Sequence, residues 1–108
     1  MAAGVAAAAA SLPGMFVLAL EIDLLIEHSH SLKDKRGVIR SIVDGARRRY
    51  QVASAETGFQ DKHQRATLGF AAVSSSQHHA TEIIDDVSRF VWSFPEIQVL
   101  EEERSWLS

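Results

Sequence analysis

Between Phe16 and Ile26 the apolar residues Phe16, Leu18, Leu20, Ile22, Leu24 and Ile26 alternate with Val17, Ala19, Glu21, Asp23 and Leu25, the two-residue period of a β-strand. One face of this strand is wholly apolar, and the other turns acidic midway. The period then changes. From Ser31 to Tyr50, the residues Leu32, Ile39, Ile42, Val43, Ala46 and Tyr50 fall on one arc at about 100° per residue, which predicts an amphipathic helix. Ser31 is placed to cap it, with Asp34 three positions on in a capping-box-like start. Val52 to Glu56 reads as a short strand, Thr57 to Arg65 as a polar connection and Ala66 to Val73 as a strand, together a hairpin.

One of Ser74, Ser75 and Ser76 is expected to cap a second helix. On it Ala80, Ile83, Ile84, Val87, Phe90, Val91 and Phe94 share a broad arc, while Glu82, Asp85, Asp86 and Arg89 face away; Pro95 stops it. Ile97 to Glu103 reads as a last strand, and Trp106 and Leu107 as a closing tail in which Trp106 either marks an interface or packs onto the sheet edge. The order β-α-β-β-α-β predicts an α+β, ferredoxin-like fold, with two helices on one face of a four-stranded antiparallel sheet.

With 108 residues the chain is long enough for one domain. Its first 14 residues, MAAGVAAAAASLPG, offer no pattern for a core and are expected to be a disordered Ala-rich extension, with the domain running from Met15 to Ser108. Translation starting at Met15 is a simple reading of that boundary. The segment lacks the basic start of a secretory signal, Pro13-Gly14 interrupts it, and Glu21 and Asp23 follow too closely for a membrane span. The chain has no cysteine, which removes disulfides, thiolate catalysis and zinc ribbons and fits a reducing compartment. A cytoplasmic protein with no membrane contact is the expectation.

The formal charge of -3 hides a segregation. Residues 31–50 carry seven Lys and Arg against Asp34 and Asp44, a local net of +5. Residues 82–104 carry seven acids against Arg89 and Arg104, a local net of -5. On the first helix Lys33, Arg36, Arg40 and Arg47 line one side of the apolar arc, and Lys62 and Arg65 in the hairpin connection are candidate neighbours. Arginine forks suit phosphate oxygens, so these six residues form a candidate nucleic-acid-binding set that positions phosphates without reading bases. The competing interpretation is a solvated helix flank whose arginine stems cover the edge of the core, or one attracted to the acids of a second copy. In this topology single-stranded RNA is usually stacked on the open sheet face. Here that face carries Glu21 and Asp23, which repel phosphate, so the helical side is the expected one.

SLKDKR entering the first helix and the later QDKHQRATLGFAAVS resemble the YlxP-like family of small bacterial proteins, domain-of-unknown-function family 503. The resemblance covers Met15 to about Glu103 and rests chiefly on Ser31 to Arg36 and Gln60 to Gly69. It implies a ferredoxin-like fold and, because such proteins are often encoded beside translation-initiation and ribosome-maturation factors, a role in RNA or ribosome biology. It implies no catalytic residues. Many members have an aromatic residue, often Trp, where this chain has His63.

Other polar residues point to no chemistry of their own. His28 with His30 and His78 with His79 lack the spacing of two ligands on one helical face, so neither a metal nor another cofactor is expected. Asp61 near His63 is the pattern of a base with its orienter, but no nucleophile accompanies it. Trp92 lies opposite the apolar arc of the second helix, an arrangement that fits an interface. The sequence therefore leads to a non-catalytic protein that binds structured RNA or a ribosomal subunit through its first helix. The alternative is a homo-oligomeric interaction module, a homodimer with a protein or small-molecule partner.

Overall fold

The computed structural model describes residues 12–108; most of the expected N-terminal extension lies outside the described residues. The elements are β1 (Phe16–Leu25), α1 (Leu32–Tyr50), β2 (Ala53–Gly58), β3 (Arg65–Ser74), α2 (Gln77–Trp92) and β4 (Gln98–Trp106). The four strands form one sheet in the order β2-β3-β1-β4, with every neighbouring pair antiparallel. This is the ferredoxin-like arrangement that the alternating periods predict. Leu12 to Gly14 form a turn closed by a Leu12–Met15 bridge and tied to the C terminus, where Ser108 Oγ accepts from the Leu12 amide and donates to the Met15 carbonyl.

β1 is central because it is the strand that can bury a complete face. Leu18, Leu20, Ile22 and Leu24 are each at most 3% exposed. They meet Ala66, Leu68, Phe70 and Ala72 of β3, Ile39, Ile42, Val43 and Ala46 of α1, and Ala80, Ile84, Val87 and Val91 of α2 in one core. At about 25 cal/mol per Å2 of apolar surface removed from water, this layer is the main stabilising term. Ser31 caps α1 by accepting the Asp34 amide at 3.0 Å. The Asp34 carboxylate reaches back one residue further than in a capping box, to the His30 amide. Ser76 caps α2 by accepting the His79 amide.

The helices pack tightly where Gly45 faces the Phe90 ring. A Cβ on Gly45 would lie 2.6 Å from Phe90 Cζ, and the ring is held edge-on by Tyr50 and Phe94 at centroid distances of 5.7 and 5.1 Å. Gly45→Ala would gain about 1 kcal/mol of helix propensity, yet the displaced ring costs about 1–3 kcal/mol. A net destabilisation of about 1 kcal/mol is expected in urea unfolding, recovered when Phe90 is shortened to Leu in the same chain; a Gly45→Ala protein more stable than the parent would contradict this packing.

β4 runs further than its pattern indicates. The expected strand ends at Glu103, whereas β4 continues to Trp106, whose Cα lies opposite Leu18; Trp106 belongs to the sheet and not to a tail. Its pairing with β1 slips between Asp23 and Leu24, leaving Leu100 as the extra residue of a bulge. The bulge changes the parity of the strand. Val99 packs against the core, while Glu101 and Glu103 stand opposite Asp23 and Glu21 on the open face. Glu102 consequently faces the helices, where its carboxylate accepts from Ser88 Oγ and from Trp92 Nε1, both at 2.7 Å.

Candidate functional site

β2 is an edge strand whose helix-facing side chains are polar. Ser54 and Glu56 stand opposite the buried Phe70 and Leu68, so strand alternation points them toward α1. Ser54 Oγ donates to the Val43 carbonyl at 3.0 Å, and Arg47 donates to the Ser54 carbonyl at 2.7 Å. Arg47 also pairs with Asp44 at 3.1 Å. Its guanidinium therefore joins α1 to β2, even though the side chain is about half exposed.

Glu56 meets Lys35, and this contact organises the whole region. Lys35 shares the helical face of Leu32, Ile39 and Ile42 and is 1% exposed, although a lysine is rarely buried without partners. Its Nζ donates to the carbonyls of Phe59 and Lys62 at 2.6 Å and of Arg65 at 3.0 Å. Glu56 Oε2 lies 2.8 Å away. An ammonium has three N–H bonds and all are spent on carbonyls, so Glu56 supplies charge without a well-directed hydrogen bond, and its Oε2 has no such partner. Lys35 thus ties the β2–β3 loop, residues 59–64, to the first turn of the helix.

The loop is held under strain. Phe59 adopts φ 57°, a left-handed conformation that costs a bulky non-glycine residue on the order of 1 kcal/mol or more. Its carbonyl is engaged by Lys35 while the residue remains 41% exposed. The Arg65 guanidinium lies 4.4 Å from the ring centroid, in the geometry of a cation–π pair.

The six predicted residues divide accordingly. Lys33, Arg36, Arg40 and Lys62 are exposed, and among the described residues none of them forms an ion pair. Arg36 and Arg40 line one cleft of about 250 Å3 with Ile39, Val43, Asp44 and Glu56. Its two acids are already neutralised, Asp44 by Arg47 and Glu56 by Lys35, which leaves the two arginines as the uncompensated charges. Arg47 stands apart through its bonds to β2. Arg65 begins β3 beside the buried Ala66 and so projects from the opposite face, over Phe59.

Two residues escaped the sequence reading. Lys35 sits three and four residues from Leu32 and Ile39, so its position in the apolar arc was a usable signal of a buried cation. Phe59 is the aromatic residue of the loop, but nothing in the sequence marks its left-handed backbone. On the open face Glu21 and Asp23 stand as expected, joined by Glu101 and Glu103 across the strand pair, and Asp23 accepts from Thr67 Oγ1. Asp61 and His63 are exposed loop residues. His78 and His79 are exposed beside Glu82, at 3.5 and 3.7 Å. Among the described residues no three His, Cys, Asp or Glu side chains come together as metal ligands, and no helix is long and apolar enough to cross a membrane.

Comparison with known proteins gives a consistent result. The family model described as Protein of unknown function (DUF503) matches residues 17–104. The chain is 38% identical over 78 residues to the uncharacterized protein YlxP of Bacillus subtilis (strain 168), covering 72% of this chain and 85% of that relative.

Proposed function

The chain belongs to the DUF503 family, and on that premise we propose that it is a non-catalytic cytoplasmic protein that binds structured RNA or a ribosomal particle through α1. The observation that carries this reading is the pair Arg36 and Arg40, unpaired among the described residues and side by side over a cleft whose acids are already neutralised. Lys33 and Lys62 extend the positive surface at the same end of α1. Arginines beside an apolar wall can donate bidentately to phosphate oxygens, and the acids of the open face orient the molecule by repelling the backbone from that side.

The test is cosedimentation of the protein with ribosomal subunits, and binding to free RNA, across a salt series. Binding that falls steeply with salt is the expected result; a protein that stays in the supernatant at low salt sinks the reading.

A homodimeric interaction module is the second reading, favoured by the exposed apolar residues at one end of the sheet. Val73 stands opposite Val17 on the open face, the Leu107 amide donates to the Val17 carbonyl, and Met15, Val73 and Leu107 are all more than a third exposed. Grouped apolar surface of this kind marks an interaction site. Light scattering on a sizing column decides: a mass of twice the 11.9 kDa chain supports the dimer, and a monomer at high concentration removes it.

A further inference from the structure

We infer that Phe59 is a stacking platform for an unpaired nucleobase, held outward by the Lys35 lock beside the phosphate-binding surface. The inference rests on the RNA reading and specifies which RNA this site takes: a single strand, bulge or loop with a base free to leave its helix.

Three observations carry it. First, the ring is presented in spite of cost. The left-handed Phe59 backbone turns its carbonyl onto Lys35 Nζ at 2.6 Å, and the residue is left 41% exposed at a loop that three bonds from one buried ammonium hold in place. Strain maintained by surrounding structure concentrates at ligand-contacting positions.

Second, one face of the ring is already occupied by Arg65 at 4.4 Å, so an incoming base completes a three-layer stack on the other. Arg65 Nε is buried without a hydrogen-bond partner, so the guanidinium is positioned by stacking and not by a carboxylate. Third, the usual stacking surface of this topology, the open sheet face, is closed to nucleic acid by Glu21, Asp23, Glu101 and Glu103. An aromatic at the loop supplies the π-surface beyond those acids, in the same Lys35-held loop as the exposed Lys62.

The experiment compares affinities for a single-stranded RNA oligonucleotide and a blunt-ended RNA duplex in the full chain, Phe59→Ala, Phe59→Trp and Arg36→Glu/Arg40→Glu. Phe59→Ala is expected to bind the single strand about tenfold more weakly, the scale of one lost base–aromatic stack, with duplex affinity nearly unchanged. Phe59→Trp should restore the single-strand affinity, and the double arginine variant should lose both RNAs together. An unchanged preference in Phe59→Ala, with the parent still binding RNA, overturns the platform while the phosphate reading stands. If the parent binds neither RNA at low salt, both readings fall.

Discussion

Lys35→Met is expected to lower the free energy of unfolding by about 3 kcal/mol, the lower part of the range for breaking a buried ion pair. The substitution keeps the apolar stem and removes only the ammonium. What remains is a carboxylate and three carbonyls that had shared its three protons. Glu56 is 22% exposed, so water recovers part of its solvation and the cost stays at the low end; the carbonyls of a strained loop have less recourse. For a domain whose whole stability is about 5–15 kcal/mol this is a large fraction. Urea unfolding should show a midpoint lower by about 2 M at constant slope. Lys33→Met, on the exposed side of the same helical turn, should change stability by no more than about 0.5 kcal/mol. Pairing Lys35→Met with Glu56→Leu should recover part of the loss, since the second change removes the orphaned charge. A Lys35→Met loss below about 1 kcal/mol would mean that the loop is held by something other than the ammonium.

This dependence explains what the sequence could and could not disclose. The order of elements was legible because each announces itself locally: a two-residue alternation in β1, a helical arc and a serine cap in α1, a serine cap and Pro95 bounding α2. The end of β4 was not, because a bulge at Leu100 changes the parity of the strand and leaves the acidic run 101–103 looking like a terminus. The charged edge of α1 was legible as composition, but composition cannot distinguish Arg47, which is bonded to β2, from Arg36 and Arg40, which are not. Nor could it relate Ser31–Arg36 to Gln60–Gly69, the two stretches that carried the family resemblance. In the fold they are one unit, because Lys35 of the first binds the backbone at Lys62 and Arg65 of the second. A long-range contact between a side chain and carbonyls leaves no trace in the sequence of the residues whose carbonyls are used.

Reversing Arg36 and Arg40 to Glu together should reduce the salt dependence of RNA binding as well as its strength. If Lys33, Arg36, Arg40 and Lys62 each meet a phosphate, the coefficient of about 0.9 per contact on a duplex gives a slope of log affinity against log salt of about -3.6. A fourfold rise in salt then weakens binding about 150-fold. With two contacts removed the slope falls to about -1.8 and the same rise costs only about 12-fold. The two new carboxylates also repel the backbone, so the low-salt affinity should fall by at least about 100-fold. Stability should be almost untouched, because both side chains are exposed and unpaired among the described residues. Arg47 is left in place in this variant: Arg47→Glu would set a second carboxylate against Asp44 and break the bond to the Ser54 carbonyl, confusing lost binding with a loosened β2. Retained affinity at an unchanged salt slope would show that the cleft between α1 and β2 does not contact phosphate, and the apolar end of the sheet would then become the surface through which this protein finds its partner.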